Sequence, residues 1–71
     1  MEKQQVASSC IAEVAYERTT ETLAVRFHAG RAYLYYGVPE PVYRKLLSAE
    51  SVGKCFNDEV RSAGYSCRRL Q

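Results

Sequence analysis

Gly30-Arg31-Ala32-Tyr33-Leu34-Tyr35-Tyr36-Gly37-Val38-Pro39 decides how this chain folds. It sets three tyrosines in four residues between a turn glycine and a Gly-Val-Pro exit. Aromatic residues suit a pleated, half-buried surface, so the run reads as a strand. The segment before it, Thr22-Leu23-Ala24-Val25-Arg26-Phe27-His28, is a second strand of clean alternation. Leu23, Val25 and Phe27 lie on one face, Ala24 and Arg26 on the other. The turn between them fixes which face the tyrosines share. A two-residue turn through Ala29-Gly30 would oppose Phe27 to Ala32 and send Tyr33 and Tyr35 outward. That turn needs positive φ at Ala29, or glycine first instead of second. A three-residue loop, His28-Ala29-Gly30, with Gly30 in the left-handed position, suits the residues better. It opposes Val25 to Tyr33 and Leu23 to Tyr35. Tyr33 and Tyr35 then face the core, and Leu34 and Tyr36 look out. A slip of one residue would exchange the two faces.

Working outward, Cys10 to Tyr16 reads as a preceding strand and Glu17 to Glu21 as a polar connection. Residues 1–8 read as a loose polar arm. After Pro39 and Pro41, Val42, Tyr43, Leu46 and Leu47 form an apolar helical stripe. Ser51 is a plausible N-cap for a second helix with Val52, Phe56, Val60 and Ala63 as its buried stripe. Gly64 is its stop. Residues 65–71 read as a mobile basic tail. The expected fold is α+β: a three-stranded antiparallel meander followed by two short helices packed on one face. Residues 1–71 make a single domain with an ordered core from about 6 to 65.

A chain of 71 residues buries only roughly 60% of its unfolded surface, so it builds one small core. An enclosed site is easier to place at a subunit interface than within one copy. Hydrophobic content of 46% with 25% charged residues argues against disorder. The net charge of +2 does not by itself announce nucleic-acid binding. However, seven of the ten basic residues are arginine, the side chain suited to bidentate phosphate contacts. Cys10, Cys55 and Cys67 include no CxxC pair and His28 is the sole histidine, which argues against a zinc site. Reduced thiols, a polar N-terminus and the lack of a long apolar run point to a cytoplasmic protein without a membrane span. No cofactor motif is present.

Tyr33 and Tyr35 read either as base-stacking aromatics or as core aromatics with hydroxyls at the rim. Ser51, Gly53 and Lys54 offer a hydroxyl, a glycine and a cation at a helix start, where a phosphate or an ordinary cap would fit. Asn57 reads as a buried amide that satisfies backbone groups between helix and sheet. Cys55, near the same helix start, is a candidate for a lowered thiol pKa, although it adjoins the buried stripe. His28 lies at a turn with no evident carboxylate or nucleophile beside it. No nucleophile–base–orienter set is visible, so the residues point to a non-enzymatic module. The candidate ligand-binding residues are Arg26, Arg31, Tyr33, Tyr35, Tyr43, Ser51, Gly53, Lys54, Asn57, Arg61, Tyr65 and Arg68.

The ordered features from Val6 to Tyr65 resemble the KTSC domain family. They are Val6, Ser8-Ser9, Ile11, Tyr16, Leu23, Val25, Phe27 and Gly30; then Tyr33-Leu34-Tyr35 as the family's Tyr-x-Tyr, Val38-Pro39 and Tyr43. Ser51, Gly53, Phe56, Asn57, Val60-Arg61 and Tyr65 complete the set. The family is a short module that occurs alone and at the C-terminus of some lysyl-tRNA synthetases. The resemblance implies a non-enzymatic module, with RNA binding suggested by the synthetase setting. Leu34 departs from it, standing where the family usually places a polar residue. An apolar Leu34 near Tyr36 on an outer face marks a possible homodimer surface. The leading expectation is RNA binding through arginines and tyrosines. The alternatives are a homo-oligomer that sequesters a small nucleotide-type ligand at a subunit interface, and a protein-interaction module.

Overall fold

The computed structural model describes residues 2–6 and 10–70. Its elements run β1 (Glu2–Gln5), β2 (Ile11–Glu17), β3 (Thr22–Phe27), β4 (Ala32–Tyr35), α1 (Glu40–Ser48), α2 (Val52–Phe56) with a π-helical continuation Asn57–Arg61, and β5 (Cys67–Arg69). The five strands form one sheet in chain order, with every neighbouring pair antiparallel. The class is α+β as expected, but two edge strands extend the expected three-stranded meander. The N-terminal arm, expected to be loose, pairs Gln4 with Val14 and Lys3 with Ala15. The tail, expected to be mobile, pairs Tyr35 with Cys67 and Tyr33 with Arg69. Backbone bonds from Tyr36 N–H to the Ser66 carbonyl (2.9 Å) and from Leu70 N–H to the Ala32 carbonyl (2.7 Å) extend that ladder at both ends.

The central hairpin has the three-residue loop that its residues favour. Phe27 N–H donates to the Arg31 carbonyl at 2.8 Å, and Gly30 N–H donates to the Phe27 carbonyl at 3.0 Å. Gly30 has φ 94°, the left-handed conformation that a side chain resists. Val25 therefore opposes Tyr33 and Leu23 opposes Tyr35. This register turns Leu23, Val25 and Tyr35 into the core with Ile11, Val14 and Tyr16 from β2.

Both helices close the same face. From α1, Tyr43 and Leu46 are buried, and the Tyr43 ring stacks on Tyr16 with centroids 4.8 Å apart. Ser51 caps α2 by accepting from the Lys54 N–H. Val52, Phe56 and Val60 are buried as expected, but Ala63 is exposed. The reason is a change of winding: Ser62 N–H reaches back five residues to the Asn57 carbonyl, and the helix ends there. A stripe extrapolated at 3.6 residues per turn overshoots such a wide turn. Asn57 is exposed, so it is not the buried amide expected from the sequence.

The Tyr16 hydroxyl donates to the Val38 carbonyl at 2.6 Å inside the core. It fixes the exit from β4 where Gly37 and Pro39 turn the chain toward α1. Burial raises the pKa of Tyr16 and of Tyr35 above the ordinary tyrosine value. The stability linked to the protonated phenols is full below the unfolded-state pKa of about 10 and is lost as pH rises through the higher folded-state values. Alkaline denaturation followed by circular dichroism should therefore begin near pH 10, in step with phenolate absorbance. Full ionisation of all six tyrosines with the fold intact would contradict the buried placement.

Candidate functional site

An open cleft of about 590 Å³ lies between the inner face of the sheet and the end of the helical layer. Its apolar wall is built from Phe27 of β3, Tyr33 and Tyr35 of β4, Phe56 of α2, and Tyr65. The rings pack on one another. Phe27 meets Tyr33 and Phe56 edge-on at 5.9 and 5.8 Å, Tyr35 meets Phe56 edge-on at 5.4 Å, and Tyr33 tilts against Tyr35 at 6.3 Å. Tyr35 is only 8% exposed and anchors the wall to the core, whereas Tyr33 is half-buried. The two readings of the tyrosine pair thus divide between them: Tyr35 is core with its edge at the cleft, and Tyr33 offers surface.

The rim is basic. Arg31 enters from the hairpin loop with His28, and Arg61 enters from the end of the helical layer. The Arg61 charge acts on the Tyr35 hydroxyl, partly offsetting the upward pKa shift caused first by burial and then by the neighbouring Cys67 thiol. No aspartate or glutamate is among the described residues that line the cleft. Among the described residues, neither Arg31 nor Arg61 takes part in an ion pair, whereas Arg26, Arg18, Arg44 and Lys45 do. An aromatic wall beneath cations, without a carboxylate, matches a flat ring that carries negative charge.

Five of the expected site residues, Arg31, Tyr33, Tyr35, Arg61 and Tyr65, meet in this cleft. The other seven lie elsewhere. Arg26 sits on the outer face of the sheet, where its Nε donates to Glu13 at 2.7 Å. Tyr43 is buried against Tyr16. Ser51, Gly53 and Lys54 form the start of α2, and Ser51 and Lys54 border a shallow depression shared with Glu50, Asp58 and Glu59. Those carboxylates oppose an incoming phosphate. Asn57 is exposed outside the cleft lining. Arg68 on β5 stands opposite Leu34 and so shares the outer face of the sheet, away from the cleft.

Sequence reading missed Phe27, Phe56, His28, Cys10 and Cys67 as cleft residues. The first two were legible as core, since both belong to inward-facing stripes. Cys10 arrives through long-range pairing, with its carbonyl accepting the His28 N–H at 2.9 Å. Cys67 arrives through β5, which the sequence does not announce. Cys55, expected as a possible thiolate, has its pKa raised, first by burial and then by Glu59. Leu34 is half-buried on the outer face, and Tyr36 is 40% exposed just past the end of β4.

The fold and the cleft define a small α+β domain with an aromatic concavity along its central hairpin that no carboxylate among the described residues lines. The KTSC domain profile matches residues 7–65, and the chain belongs to that family. A crystal structure of a KTSC domain protein from Yersinia pestis superposes with a TM-score of 0.85 at 34% identity, covering 99% of this chain and 97% of that one. A protein from Tsukamurella paurometabola is 45% identical over 58 residues, 82% of this chain and 87% of its own length. A lysine–tRNA ligase from Nostoc punctiforme is 38% identical over 53 residues, which are 75% of this chain but 9% of the ligase. No helix among the described residues is long and apolar enough to cross a membrane.

Proposed function

We propose that this domain is a non-catalytic module that binds single-stranded RNA, with an unstacked base against Tyr33 and phosphates on Arg31 and Arg61. The observation that carries this reading is the cleft itself, where an aromatic wall meets two exposed arginines and, among the described lining residues, no carboxylate. Such surfaces hold bases by stacking and backbones by charge, with little dependence on sequence. The edge strand β5 favours a polymer over a mononucleotide. It carries Arg69 opposite Tyr33, on the face of the sheet that bears the cleft, so basic charge continues past the cleft along this edge. The match to a segment of a lysine–tRNA ligase, an enzyme named for an RNA substrate, agrees with this reading.

Salt dependence tests it. Each phosphate neutralised on a single strand contributes about −0.7 to the slope of log affinity against log salt. Three arginine contacts predict a slope near −2, or about twenty-fold weaker binding between roughly 50 and 200 mM salt. Affinity should rise with oligonucleotide length, and Arg61→Ala or Arg69→Ala should each flatten the slope by about 0.7. Length-independent binding of one mononucleotide with a flat slope would replace the RNA reading with that of a small-ligand binder. If neither class binds, the protein-interaction reading takes its place.

A further inference from the structure

We propose that the cleft grips one nucleotide by the phosphates on both of its sides, one on Arg31 and the other on Arg61. Its RNA form is then an internal nucleotide, not a strand end. The inference rests on the RNA reading above and adds the unit that the cleft recognises.

The argument is the placement of the two cations. Arg31 stands where β4 begins, its carbonyl tied to Phe27 across the hairpin mouth. Arg61 lines the same cleft from the π-helical continuation Asn57–Arg61, and its charge acts on Tyr35, the last residue of β4. From Arg31 to Tyr35 the strand covers about 13 Å. Tyr33 lies midway, half-buried, with its ring braced by the edge of Phe27. The cleft therefore presents two cations from different elements, Arg31 from the hairpin loop and Arg61 from the helical layer, with the Tyr33 ring in the same lining. A nucleoside with a phosphate on one side only would satisfy one arginine and leave the other facing water. Two phosphates that flank one nucleoside satisfy both, and no carboxylate among the described lining residues competes for either.

Calorimetry with four uridine probes tests this: the 5′-monophosphate, the 3′-monophosphate, the 3′,5′-bisphosphate, and the trinucleotide UpUpU without terminal phosphates. The bisphosphate should bind about ten-fold or more tightly than either monophosphate, the worth of one additional charged hydrogen-bonded contact. Arg31→Ala and Arg61→Ala should each reduce its affinity to the level of a monophosphate. Both residues are exposed, so thermal melts of the variants should match the parent. Arg44→Ala, which removes a pair with Glu40 on α1 outside the cleft, should change nothing. UpUpU carries both phosphates on its middle nucleotide and should match the bisphosphate. Equal affinity for all three small nucleotides would overturn the two-phosphate grip, while leaving RNA binding to the salt and length series. A bisphosphate that binds where UpUpU does not would keep the grip but assign it to a free nucleotide and overturn the RNA reading. Failure of every probe, and of longer RNA, would overturn both.

Discussion

Leu23→Ala should cost about 2–5 kcal/mol of folding stability, the range for truncating a fully buried leucine. Leu23 is 0% exposed and lies between Tyr16 on β2 and Tyr35 on β4 in the same row of the sheet. Those two rings lead in different directions, Tyr16 to Tyr43 on α1 and Tyr35 to Phe56 on α2. A cavity at Leu23 therefore loosens the packing of both helices on the sheet. A domain of 71 residues has a total stability of only about 4–11 kcal/mol, so the variant loses a large part of it. Thermal unfolding followed by circular dichroism should show a fall in Tm of about 10–30 °C. Leu47→Ala, at a 40% exposed position on α1, should stay within about 0.5 kcal/mol of the parent. A Leu23→Ala protein as stable as Leu47→Ala would refute the register that seats Tyr35 in the core.

That register was legible because a turn imposes chemistry on particular residues. Ala29 resists positive φ and Gly30 accepts it, so the loop length and the face of every residue in β4 followed from two positions. The edges were not legible for the opposite reason. Glu2–Gln5 and Cys67–Arg69 have neither alternation nor β-branched residues. Their order comes from ladders formed with distant strands. Charged, short strands at a sheet edge also limit pairing with other chains, so their sequences look like loops. The same distinction divides the site. Tyr33, Tyr35 and the arginines that meet them could be read from alternation and composition. Cys67 and the basic track beside Tyr33 required the β4–β5 pairing to be known. Tyr43 illustrates an error of type: a tyrosine in a helical stripe was counted with the site, and the ring stacks in the core instead. Arg26 was already on the outer face by its alternation with Val25 and Phe27, and its partner Glu13 holds it there.

Tyr33→Ala should weaken RNA binding by about 1–3 kcal/mol, or roughly five- to 150-fold, with far less effect on stability than Leu23→Ala. The ring is half-buried, so its removal enlarges an existing concavity and does not open a void in the core. Its phenol is secondary to stacking, so Tyr33→Phe should retain most of the affinity. Tyr33→Leu, which restores apolar volume without a π-face, should resemble alanine in binding while recovering stability. Tyr35 provides the contrast on the same strand. At 8% exposure against Phe56 it supports the cleft from beneath, so Tyr35→Ala should lower the melting temperature and the affinity together. Fluorescence titration with an oligouridine, paired with a thermal melt of each variant, separates the two roles. Stacking at Tyr33 requires that affinity follow the presence of an aromatic ring. If affinity instead follows melting temperature across Ala, Leu and Phe, Tyr33 is only another core residue and the base must sit elsewhere.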